Sequence, residues 1–130
     1  MINADAELLE KEASLFLSQE KFEEAYKSFI KAAKIYRDRG NHKQSVLCFA
    51  SAASCWALKS GEKTFDNSAT SYEEAAGEAE ISGDMEYASL LYKYAAINFE
   101  RGMEFINFSE CFYRSKECYR KFLAFSLFNP

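Results

Sequence analysis

Proline is almost missing from this 130-residue chain: a single residue, Pro130, stands at its end. No interior position is therefore obliged to break a helix. Glycine is scarce as well, and four of the five, Gly40, Gly61, Gly83 and Gly102, recur at intervals of 19 to 22 residues. That spacing punctuates one segment after another, and it leaves no glycine-rich loop to cradle a phosphate. His42 is the sole histidine, and the Glu23/Glu24 and Glu73/Glu74 pairs each diverge by about 100° on a helix. Acid–base catalysis thus finds little material, and no catalytic, cofactor-binding or metal-binding residue is assigned.

Excess positive charge is missing too. Sixteen Lys and Arg against 20 Asp and Glu give a net charge of −4 and a pI near 5.1, which argues against general nucleic-acid binding. The first residues, MINADAELLEKE, lack the basic start and apolar run of a secretory signal. The longest uncharged stretch, Gln44 to Leu58, has 15 residues and several Ser and Gln, short of a membrane span. A cytoplasmic protein, at most peripheral to membranes, is expected. The four cysteines pair as Cys48 with Cys55 and Cys111 with Cys118, each seven apart, or about 10.5 Å along a helix. That is too far for a disulfide or for two ligands of one zinc within a helix, so reduced thiols packed as small apolar residues are expected. No alternating apolar and polar run competes as a strand.

What is present is a repeated seam. From Lys21 to Gly40, Ala25, Phe29, Ala32, Ala33 and Tyr36 fall within a stripe about 100° wide, the core face of an amphipathic helix. The pattern returns as Ser45, Phe49, Ala52, Ala53, Trp56, then as Ser68, Tyr72, Ala75, Ala76, Ala79, and again as Ala88, Tyr92, Ala95, Ala96, Phe99. Worn copies flank these four: Asp5, Leu9, Glu12, Ala13, Phe16 before, and Phe108, Phe112, Ser115, Lys116, Tyr119 after. Charge enters the seam only in the outermost copies, as a stacked array with capping ends requires.

The fold expected is all-α: one domain over residues 1–130, a right-handed superhelical array of antiparallel helical hairpins, with helices near 5–18, 22–39, 42–59, 65–82, 84–101 and 104–122. Asn41 with Gln44 has capping-box spacing at the third start, and Thr64 or Asp66 can cap the fourth helix. The third helix, with Val46, Leu47, Cys48 and Leu58 outside the seam, should be the most buried. Glu73, Glu74, Glu78 and Glu80 are expected to face water.

Two surfaces are candidates for partners. Lys27, Lys31 and Lys34 form a row at i, i+4, i+7 on the second helix, and Arg114, Lys116, Arg120 and Lys121 a second basic group on the sixth. Solvated positive faces are the plain alternative. The uncharged tail Phe122, Leu123, Phe125, Leu127, Phe128 either folds back over the last hairpin, offers a self-association surface, or is the face on which a following repeat or partner stacks.

The segments Ala25 to Tyr36, Ser45 to Trp56 and Ala88 to Phe99, with their shared small-and-aromatic seam, resemble tetratricopeptide repeats and, in the self-similar period of about 40 residues per hairpin, the soluble NSF attachment proteins (SNAPs). Ordinary tetratricopeptide repeats alternate two different helices over 34 residues. The resemblance implies a protein–protein adaptor or scaffold of vesicle traffic that contacts SNARE helix bundles through scattered basic residues, with no cofactor. Alternatives are a tetratricopeptide-type cofactor that holds a short peptide, or a self-assembling structural subunit. The acidic, leucine-containing tail that engages the ATPase in that family, and its apolar loop between the first two helices, have no counterpart in AFSLFNP or in Ser18 to Lys21.

Overall fold

The computed structural model describes residues 4–57 and 64–128. Among them are six α-helices and no strand: α1 (Ala4–Ser18), α2 (Phe22–Asp38), α3 (His42–Ala57), α4 (Thr64–Ile81), α5 (Met85–Arg101) and α6 (Phe105–Phe128). Each packs extensively against its neighbours in the chain, so the core runs as a succession of helix–helix contacts. Gly61 and Leu58 lie outside the described residues.

The seam explains why the helices meet. All eight paired alanines, from Ala32 and Ala33 to Ala95 and Ala96, are at most 2% exposed. Phe49, Tyr36, Tyr92 and Phe99 are buried with them. Alanine lets two backbones approach, and the aromatic rings occupy the grooves to either side. Serine exploits the same closeness. The Ser68 hydroxyl donates to the Ala53 carbonyl at 3.1 Å, and Ser89 and Ser115 each donate to the other's carbonyl at 2.9 and 2.8 Å. These bonds cross between helices and satisfy hydroxyls that burial would otherwise leave costly.

Four three-residue turns join the helices, and they are one turn used repeatedly. In each, an N–H donates five residues back, as Lys21 to Phe16, Asn41 to Tyr36, Asp84 to Ala79 and Glu104 to Phe99, at 2.8 to 2.9 Å. The preceding residue is left-handed: Glu20 at φ 59°, Gly40 at 76°, Gly83 at 83° and Met103 at 63°. This is the Schellman closure of a helix end, and such short links make the helices they join antiparallel.

Gly102 was expected to end α5, yet it has φ −83° and the left-handed site is Met103. The left-handed residue always follows the last seam residue by four: 16 to 20, 36 to 40, 79 to 83, 99 to 103. Gly102 answers to a neighbour instead. A Cβ there would stand 3.1 Å from Asp66 Oδ1 and 3.6 Å from Phe65 Cβ of α4.

Two expectations about burial change in part. Leu47 of α3 is half-exposed, while Val46 and Cys48 are buried. The tail does not fold back. It continues α6 to Phe128, with Leu123, Phe125, Leu127 and Phe128 exposed and Phe122 half-buried. The cysteines are free and buried, among them Cys48 and Cys111, whose thiols burial raises from 9.0 to about 12.

A charged cleft between the second, fourth and sixth helices

The glutamates of α4 are a solvated face only in part: Glu74 is exposed, Glu73 and Glu80 are half-buried and Glu78 is buried. Glu78 is 2% exposed, with His42 Nδ1 2.6 Å from Oε2, the Ser45 hydroxyl donating to Oε1 at 3.3 Å and Arg37 Nε at 3.7 Å. Arg37 also donates to Glu74 Oε2 at 3.1 Å. Glu80 accepts from the Tyr92 hydroxyl, and Glu73 lies 3.5 Å from the Cys111 thiol, which donates to it. The reason is positional: α4 sits between α3 and α5 in the packing order and is also reached by α2 and α6. Carboxylates that alternate around a central helix meet neighbours in most directions, and donors on those neighbours satisfy their oxygens.

These residues frame a cleft of about 330 Å³ lined by Arg37, Glu73, Glu74, Glu78, Tyr92 and Arg114. The Arg114 guanidinium lies 5.9 Å from the Tyr92 ring centre. A hydrogen bond with Tyr92 and the nearby Glu73 and Glu80 carboxylates hold its pKa above the ordinary value. Burial, and then Glu80, push the Tyr92 hydroxyl upward. A second cleft of about 250 Å³ continues the furrow between α2 and α4, lined by Tyr26, Ile30, Lys34, Thr70, Ser71 and Glu74. The result is a mixed-charge, aromatic-edged furrow across three helices.

The candidate basic residues divide around it. Lys34 stands on the rim of the α2/α4 cleft and Arg114 in the α4/α6 cleft. Lys27 and Lys31 are exposed and line neither cleft, Lys27 with Glu23 at 3.6 Å. Arg120 pairs with Glu117 at 2.7 Å, Lys121 is exposed, and the Lys116 ammonium lies 4.6 Å from the Phe112 ring centre. Arg37, the residue that ties α2 to α4, carries no signal in the repeat. Its place one residue after Tyr36, beside the seam, is the only hint. Among the described residues no helix is long and apolar enough to cross a membrane. Comparison of the chain with family models, with curated proteins and with solved structures returns no significant match.

Proposed function

We propose that the chain is a protein-binding adaptor or scaffold, a superhelical array of the tetratricopeptide and SNAP kind that takes an elongated helical partner along the α2–α4–α6 furrow. The observation that supports this reading is the furrow itself: open clefts joined across helices two apart, bearing both charge signs and aromatic edges. Such a lining suits a protein surface, because paired charges select orientation and aromatic edges supply contact area. A compact substrate pocket would be more enclosed and more apolar. The resemblance of the seam to that of the SNAPs makes an assembled SNARE helix bundle the first partner to test, in a cytoplasmic setting at most peripheral to membranes.

A binding measurement with a purified, labelled SNARE bundle tests the proposal. Lys34→Glu combined with Arg114→Glu should abolish binding, whereas Lys27→Glu with Lys31→Glu, which line neither cleft, should leave it intact. Equal binding by both variants would remove the furrow from the reading. Failure to bind the bundle, with retention of short peptides by the unmodified chain, would move the function to the peptide-holding class.

A further inference from the structure

The chain is built from two three-helix units set a constant interval apart. α2 spans 22–38 and α5 spans 85–101, and the left-handed turn residues Glu20 and Gly40 recur as Gly83 and Met103. All four cysteines keep the same interval, Cys48 with Cys111 and Cys55 with Cys118. The units also close alike in space. The Cys48 thiol of α3 faces Glu10 of α1, and the Cys111 thiol of α6 faces Glu73 of α4 at 3.5 Å. Three-residue turns hold each unit together, whereas α3 and α4 are joined across residues 58–63. The packing of α2 and α3 on α4 is thus a contact of one unit with the next.

That contact has an open counterpart at each end of the array. The second unit presents α5 and α6 as the first presents α2 and α3, and α1 exposes Leu8 and Leu15 on the side where α4 receives them. Moving every residue of the internal contact by one unit gives what the two ends bring to each other. Arg37 donates to Glu74 at 3.1 Å, and their counterparts are Glu100 and Lys11, an ion pair of reversed sign. The Ser68 hydroxyl meets the Ala53 carbonyl, and Asp5 and Lys116 stand in those places. His42 and Glu78, 2.6 Å apart, give way to Phe105 and Leu15, which are 58% and 57% exposed. Leu47 and Asp84 share one cleft, and Ile30 and Thr70 another; their counterparts are Glu110 with Lys21 and Lys93 with Glu7. In all four charged pairs the signs are opposite. All eight residues are exposed, and none is in a salt bridge among the described residues.

We propose that copies of this chain associate head to tail, the α5/α6 end of one seated on α1 of the next in the register that joins α2 and α3 to α4. The two surfaces of such a contact are different, so each added copy leaves one of each kind free and association does not stop at a dimer. Lysine and aspartate in the places of Ala53 and Ser68 hold the helices farther apart than inside the chain, and the salt bridges form across that wider gap. A single layer of helix on helix is a small interface, so the expected dissociation constant is about 10–100 μM. Glu100, Glu110, Lys11 and Lys21 line neither cleft of the α2–α4–α6 furrow, so this inference and the adaptor reading stand or fall separately.

Sedimentation equilibrium on the intact chain at rising concentration tests the register, with circular dichroism to verify that each variant keeps its helix content. The weight-average mass should climb past that of a dimer by about 1 mM, given the affinity expected of so small a contact. Glu100→Lys with Glu110→Lys sets like charges against Lys11 and Lys21 and should weaken association about tenfold. Lys11→Glu with Lys21→Glu does the same from the other side and should weaken it equally. In an equimolar mixture of the two variants every contact between unlike copies regains opposite signs, so the mixture should associate like the unmodified chain. Only a contact between these two ends gives that rescue. A chain that stays monomeric at about 1 mM overturns the proposal, including one whose ends take another protein or a lipid vesicle instead. So does a mass that levels off at a dimer, a pair of variants that associate as before, or a mixture that fails to recover.

Discussion

Replacing Glu78 by alanine separates a solvated glutamate from one built into the core. Were Glu78 on the water-facing side of α4, as its place in the repeat suggests, the substitution would change stability by less than about 0.5 kcal/mol. The structure requires more. The Ser45 side chain, fully buried, loses the oxygen it donates to, a penalty of about 1–3 kcal/mol. Arg37 and His42 lose their carboxylate partner too, but their side chains are 35% and 30% exposed, so water recovers part of that loss. The total is about 2–3 kcal/mol, below the range for severing a wholly buried pair. For a chain of this size that lowers Tm by about 10 °C. Urea unfolding followed by circular dichroism at pH 7 gives the value. A cycle with Ser45→Ala should show the two losses to be less than additive by about 1 kcal/mol, because each removes the same bond. A Glu78→Ala midpoint indistinguishable from that of the unmodified chain would refute the buried-carboxylate account.

The turns and the thiols supply two more expectations. Met103→Gly and Glu20→Gly should each stabilise by about 0.5–1 kcal/mol, since both residues are left-handed, and Gly83→Ala should cost about 1 kcal/mol of torsional strain. A Cβ at Gly83 meets nothing within 4 Å, so no clash clouds that comparison, and a destabilised Met103→Gly would disprove the shared closure. Stability should also fall in alkali. Burial raises Cys48 and Cys111 from 9.0 to about 12 and Cys55 to about 11, so the folded state favours the protonated thiols. Their contribution is complete below about pH 9 and is lost as pH climbs toward the folded values, by up to about 1.4 kcal/mol per thiol per pH unit. Equal urea midpoints at pH 7.5 and pH 10 would count against it.

Much of the fold was legible because the seam is a packing rule written in residue size. Small residues at positions seven and eight and rings at four and eleven can satisfy a neighbour on either side, so the same string repeats wherever a helix has neighbours on both sides. Boundaries followed closely for the same reason, since each turn stands at a fixed distance from the last seam residue. The one-residue error at Gly102 shows the limit. A glycine signals left-handed backbone or a close approach, and only the position of α4 reveals that the second applies. Burial of the α4 carboxylates was illegible for a related reason. Helical periodicity reports one apolar face, whereas Glu78 is buried and Glu80 half-buried by helices that arrive from other sides and bring their own donors, His42, Ser45 and Arg37 to the first and Tyr92 to the second.

The first and sixth copies of the seam depart from it in different ways. At the first, Asp5 and Glu12 occupy seam positions and are exposed. At the last, Phe112 and Tyr119 keep the aromatic positions but remain about half-exposed, and Lys116 replaces the second alanine. A lysine in that place forbids the close backbone approach that paired alanines permit, because its side chain must lie between the helices. Whatever rests on α6 therefore stands farther off than one helix of the array from the next, and is met by long side chains rather than by backbone.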